Sequence, residues 1–271
     1  MQAYLRERID LVKALAESRE LPVKYADLGL ITCAVMSACA AWRWPGRRID
    51  RGRFVELLAR HSHDGFRASW VSVPALLNEG LITEEQTPYA RPGNHLRIYT
   101  DDEIDLSMTD AEQAFPGIEK RRLRSQSYAC LIYEQLRCGY SHNYFADRDI
   151  TAFPPSDDHA RVSYIGRVSS VLRTGRGPGL QRMIYFHLEY LIELAEHHVA
   201  ILPGGAESAP AEWWIDAPQS PRGPPTSHSD AFDYTADVLR EIDAFFRKTG
   251  KIIVALTVRE ILDEQLAKKL A

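Results

Sequence analysis

Apolar residues recur three and four positions apart at the start of the chain, where Leu5, Ile9, Val12, Leu15 and Ala16 mark one face of a helix over 3–18. The run YADLGLITCAVMSACAAWRW (25–44) has a different pattern. It is apolar nearly all round and rich in small residues, as a central helix packed by neighbours on several sides would be. WPG at 44–46 ends it, because proline and glycine do not carry a helix ladder onward. A helix over about 50–62 follows with Asp50 as N-cap, then one over about 68–80 with Gly80 as C-cap. Tyr128, Leu131, Ile132 and Leu136 mark the face of a helix over about 121–137. Residues 180–200 read as one long amphipathic helix through Met183, Ile184, Phe186, His187, Leu188, Tyr190, Leu191 and Leu194.

Two stretches break this periodicity. Residues 83–117, with Pro88, Pro92 and Pro116, read as a loop excursion holding one or two strands around HLRIY. Residues 153–170 pass from turn chemistry into a β-branched run expected to be a strand. Six prolines and three glycines over 203–229 indicate a long surface loop or linker. Beyond it a helix at about 230–248, a short strand KIIVAL and a helix at 257–270 form a C-terminal helical appendage. The expected division is therefore 1–202, 203–229 and 230–271, mainly α with small β insertions near 83–117 and 153–170. No repeat with a period of 20–50 residues is present.

Composition narrows the chemistry only a little. The 271 residues carry 33 Lys and Arg against 37 Asp and Glu, a formal charge of -4. Any nucleic-acid contact must then come from a local patch. Cys33, Cys39, Cys130 and Cys138 form no CxxC and have no histidine at zinc-finger spacing, so they read as free core thiols of a reducing compartment. The charged start MQAYLRERIDLVK lacks the apolar run of a secretory signal, and no 18 uninterrupted apolar residues occur. The expectation is a cytoplasmic protein without a membrane span, metal or cofactor.

The stretch YEQLRCGYSHNYF (133–145) carries the chemistry of most interest. In an unbroken helix Arg137 and His142 would lie about 140° apart around the axis. Gly139 at the helix end is expected to turn the chain, so that His142 points back toward Arg137. Glu134, three residues before Arg137, is placed to hold the guanidinium. Tyr133, Tyr140 and Tyr144 could stack an unpaired base or pack internally. The run EKRRLRS supplies Lys120, Arg121, Arg122 and Arg124, either an RNA-backbone contact or a solvated helix start.

Arg137-Cys-Gly-Tyr-Ser-His142, at the end of an apolar helix in a mostly helical chain, resembles the R-x4-H signature of HEPN-domain ribonucleases, as do LIYEQL before it and the RCGxxH form. The likeness spans about 25–200. Cys138 stands where many members carry a polar residue, often asparagine, and the strand-like insertions exceed a minimal bundle. The resemblance implies a HEPN-like helical bundle that forms a homodimer and cleaves RNA without metal, leaving a 2′,3′-cyclic phosphate and a 5′-OH. It assigns His142 as general acid/base, Arg137 as phosphate stabiliser and Glu134 as its orienter. It also implies a bacterial defence or toxin setting with an antitoxin-type partner.

Other candidates are less pointed. RTGRGPG (173–179) lacks the GK[ST] ending of a phosphate loop and reads as a flexible loop. His61, His63, His197 and His198 suggest capping or structural roles before a metal, and His187 reads as a core histidine. Trp42, Trp44, Trp213 and Trp214 read as packing at helix ends or as interface anchors.

Overall fold

The computed structural model describes residues 1–18, 25–46, 48–87, 98–143, 151, 160–169 and 179–215. The chain divides into two compact units, Met1–Ala217 and Pro218–Ala271. The second, with the helices and strand expected over 230–271, lies outside the described residues, as do the rest of the 203–229 stretch and 173–178 of the glycine-rich segment.

The protein is mainly α. Helix α1 spans Gln2–Glu17 and buries Leu5, Ile9 and Val12. Helix α2, Tyr25–Arg43, buries Ala26, Leu28, Cys33, Val35, Met36, Cys39 and Ala40, and is packed by α1, by α3 (Asp50–His61) and by α10 (Leu188–Ala200). Its length and apolarity would suffice to cross a membrane, but its neighbours make it the central helix of the bundle. Gly29 of this helix, lacking a side chain, lets Leu136 and Tyr140 approach closely.

A three-stranded antiparallel sheet lies beside the bundle in the order β1-β2-β3: Tyr99–Thr100, Val162–Ser169 and Gly179–Phe186. Tyr99 stands opposite Tyr164, which stands opposite Ile184. The strand over 179–186 corrects the expected single helix over 180–200. Its eight residues pair in full with β2, and Ile184, Tyr185 and Phe186 suit a half-buried pleated surface. His187 is the N-cap position where α10 begins.

The expected helix over 68–80 is shorter, α4 at Val73–Asn78, capped by the Ser72 hydroxyl on the Ala75 N–H. Gly80 follows at φ 68°, the left-handed conformation that glycine adopts without Cβ strain. Ahead of α4, Val71 bridges to Leu106 and Ser127. The stretch read as loop with strands also contains α5 (Asp101–Ile104) and α6 (Met108–Ala114). Thr100 with Glu103 makes a capping box at α5, and the Ser107 hydroxyl accepts from the Asp110 N–H at α6. Both S/T-x-x-D/E signatures stand in the sequence.

A buried polar centre ties sheet to bundle. The Asp105 carboxylate accepts from the Tyr128 and Tyr164 hydroxyls and from the Val73 N–H at 3.0 Å. Burial pushes its pKa up to about 7, against the pull of these three donors.

Candidate functional site

The helix expected over 121–137 is built in pieces. Helix α7, Lys120–Ser125, ends where Ser127 pairs with Val71, and α8, Tyr128–Leu131, starts again beyond it. Ile132–Arg137 then forms a π turn, in which the Cys138 N–H reaches the Tyr133 carbonyl five residues back. Helix α9, Cys138–Asn143, continues directly.

The expected turn at Gly139 is therefore corrected, since the chain passes through Gly139 as helix. Glycine costs about 1 kcal/mol relative to alanine inside a helix, a penalty smaller than the gain from burying an aromatic ring. Tyr140 supplies that gain. It is 3% exposed, sits edge-on to Tyr25 at 6.2 Å between ring centroids, and lies where a Cβ on Gly29 would meet it at 3.6 Å. Turning out at Gly139 would pull this ring from the α2 interface. Of the two roles expected for Tyr140, base stacking and internal packing, its burial supports packing.

With α9 continuous, Arg137 and His142 belong to one helix, about 140° apart around the axis and about 7.5 Å apart along it. For His142 the described part is its helical backbone; Tyr144 lies outside the described residues.

Arg137 is half-buried and held by neutral groups. Its Nε donates to the Ser37 hydroxyl of α2 at 3.3 Å, its guanidinium carbon stands 5.0 Å from the centre of the Tyr133 ring, and one Nη lies 3.9 Å from the Cys138 sulfur. Among the described residues no carboxylate pairs with it. Arg43, Arg51, Arg53, Arg60, Arg67, Arg124 and Arg161 each pair with one. The same charge reaches Cys33: burial lifts that thiol to about 12, and Arg137 opposes the lift.

Glu134 does not hold Arg137. It is exposed, and its carboxylate pairs with Arg51 of α3. The π turn explains the change, because a wider turn moves residue i+3 off the face it shares with i in an α-helix. Sequence reasoning missed Ser37 and Arg51. Ser37 stands out in retrospect as a hydroxyl within the apolar run VMSACAA of α2.

The basic run is largely engaged by the protein itself. Lys120 pairs with Glu112 at 2.7 Å, and Arg124 pairs with Glu212 at 2.9 Å while covering the Trp214 ring. Arg121 has a partner within the protein as well, and both it and Arg122 are exposed.

The histidine pairs converge. His197 Nε2 lies 3.1 Å from the His61 carbonyl, and His198 Nε2 lies 3.0 Å from the Ser62 hydroxyl. Among the described residues, however, no group of three His, Cys, Asp or Glu is placed to hold a metal. His63 caps the short turn at Asp64–Phe66 by accepting the Gly65 N–H. His187 is buried and contacts the Ser163 hydroxyl at 2.8 Å. Trp44 and Trp213 meet edge to face at 5.6 Å, a packing contact.

No family model matches this chain, and neither a curated protein nor a solved structure matches it.

Proposed function

We propose that the chain is a HEPN-like helical bundle acting as a metal-independent endoribonuclease, cutting RNA through its own 2′-OH in a site shared by two copies. One imidazole takes the 2′-OH proton as O2′ bonds to phosphorus. The P–O5′ bond breaks, and the leaving oxygen takes its proton from water, whose lost proton the imidazolium so formed then replaces. Arginine carries the charge that builds on the phosphorane oxygens. The products are a 2′,3′-cyclic phosphate and a 5′-OH.

The observation that carries this reading is the state of Arg137. It ends a π turn, a distortion frequent at functional sites, and it rests on Ser37 and Tyr133 with no carboxylate among the described residues to neutralise it. Such a guanidinium is free to take a phosphate. The continuous helix adds a condition. Because Arg137 and His142 diverge within one chain, a working site combines the arginine of one copy with the histidine of the other. A homodimer is then required, working in the cytoplasm, with an antitoxin or defence-system protein as a further partner.

The same divergence favours a second reading, a non-catalytic module that binds RNA or a nucleotide, or that dimerises, using Arg137 alone. Labelled single-stranded RNA incubated in EDTA with wild type and His142→Ala separates the two. Cyclic-phosphate ends from wild type alone support the nuclease. Binding without cleavage by wild type supports the module, and equal products from both proteins remove His142 from the mechanism.

A further inference from the structure

Residues 204–212, GGAESAPAE, carry two charged side chains, both acidic, among small neutral ones. The chain is fastened at both ends of this arm. Before it, Trp42 Nε1 donates to the Pro203 carbonyl at 2.9 Å and Leu202 packs on the core. After it, Trp214 and Ile215 are buried, and the Trp214 N–H donates to the Glu56 carboxylate at 2.6 Å. The start of the arm faces open space: no atom lies within 4 Å of where a Cβ would stand on Gly204 or Gly205.

Both acids sit on arginines. Glu207 pairs with Arg43 Nε at 2.6 Å, and its own N–H donates to the Arg43 carbonyl at 2.7 Å. The Glu212 carboxylate accepts from Arg124 at 2.9 Å, and its backbone carbonyl accepts from Arg60 at 2.8 Å. Arg124 holds the Glu212 carboxyl below its usual pKa range. Each arginine also stands over an indole: Arg43 over Trp44 at 5.2 Å, Arg60 over Trp214 at 5.7 Å, and Arg124 over the same Trp214 ring at 4.9 Å. Arg60 pairs with a carboxylate outside the arm, the buried Glu56 at 3.0 Å.

These cations come from the last turns of three separate helices, α2, α3 and α7. Glu207 and Glu212 are five positions apart in the chain, so at full extension their Cα atoms are at most about 18 Å apart. Arginines beside aromatic faces, spread over that length, suit successive phosphates and bases of a single strand. The arm meets them with the same chemistry, an anion on the guanidinium and a ring against its face.

We infer that Arg43, Arg60 and Arg124 form a phosphate-tracking surface for single-stranded RNA, which the arm Gly204–Glu212 covers as a built-in competitor. This rests on the RNA reading above and adds a second contact region and its control. Exposed ion pairs are weak in water, so strand phosphates displace the two carboxylates while the Trp214 anchor stays seated.

The test is fluorescence-anisotropy binding of a labelled oligouridylate to wild type, to Glu207→Gln/Glu212→Gln, and to that double variant also carrying Arg43→Ala/Arg124→Ala. The neutralised arm should tighten binding at least tenfold and steepen the dependence of log Kd on log salt by about 1.4, roughly 0.7 for each of the two arginines that lose a carboxylate. The added alanines should return both to wild-type values, with thermal melting showing that every variant is folded. Affinity that does not change on neutralising the arm overturns the inference, including the case in which no protein binds. So does tightening that survives the arginine substitutions. Cleavage is scored separately: tightening without cyclic-phosphate product leaves this surface standing and removes the nuclease.

Discussion

Glu134 gives its carboxylate to Arg51 on the neighbouring helix, while Arg137, three residues further along its own chain, rests on Ser37 and Tyr133. The residue expected to orient the arginine instead ties the motif helix to α3. Glu134→Gln should therefore lower RNA cleavage less than about threefold and stability by about 0.5 kcal/mol or less, the scale of an exposed ion pair. If the chain cleaves RNA as proposed, Arg137→Ala removes charge stabilisation in the transition state and should cost about 100-fold or more in single-turnover rate. A Glu134→Gln loss as deep as that of Arg137→Ala would restore the orienting role.

Arg137 and His142 lie on one unbroken helix, which makes mixing experiments decisive. Arg137→Ala and His142→Ala are each expected to be inactive alone. If the site draws its arginine and histidine from different copies, a heterodimer of the two variants keeps one complete site and one empty one. Random exchange in an equal mixture makes half the dimers heterodimers, so about a quarter of wild-type cleavage should return. A mixture as inactive as its components would place both groups in one chain.

Much of the bundle was legible in the sequence because one apolar face of a helix repeats regularly. Leu5, Ile9 and Val12 mark α1, and the all-round apolarity of 25–44 marks a helix with neighbours on several sides. Residues 179–186 misled because a short apolar run beside a helix fits both periods until a partner strand is known, and β2 settles it. At Gly139 the local signal was a real one. The deciding energy came from Gly29 and Tyr25, more than a hundred residues away, which bury Tyr140 and hold the helix straight. The π turn left no mark in residue spacing, so the partners of Glu134 and Arg137 could not be read in advance.

Tyr140 separates packing from base stacking. Its hydroxyl is buried without a hydrogen-bond partner among the described residues, a burden of about 1 kcal/mol or more. Tyr140→Phe should leave stability unchanged or raise it by up to about 1 kcal/mol, with RNA affinity unaltered. Tyr140→Ala should destabilise by about 3–5 kcal/mol through the cavity it leaves against α2. Chemical denaturation measures the first pair of effects and anisotropy the affinity. A phenylalanine variant that loses RNA binding while staying folded would return Tyr140 to the site.

His198 should set part of the acid sensitivity of the bundle. It is 1% exposed and holds the Ser62 hydroxyl at 3.0 Å, while its Nδ1 is buried without a partner among the described residues. Burial pushes its pKa down to about 3, with the charges of His197, His61 and Arg43 acting the same way. The folded imidazole thus stays neutral while the unfolded one takes a proton near pH 6.5. The native state binds fewer protons across this interval, so the contribution is complete above about pH 6.5 and drains away as the pH falls toward about 3. Asp105 acts in the opposite sense between about pH 4 and 7, because its raised pKa favours the folded state at the acid end. The two must therefore be separated by difference. Unfolding free energies of wild type and His198→Gln, measured by urea titration from pH 4.5 to 7.5, should lie furthest apart at neutral pH and converge as the solution is acidified. Parallel curves would mean that His198 already carries its proton in the folded protein.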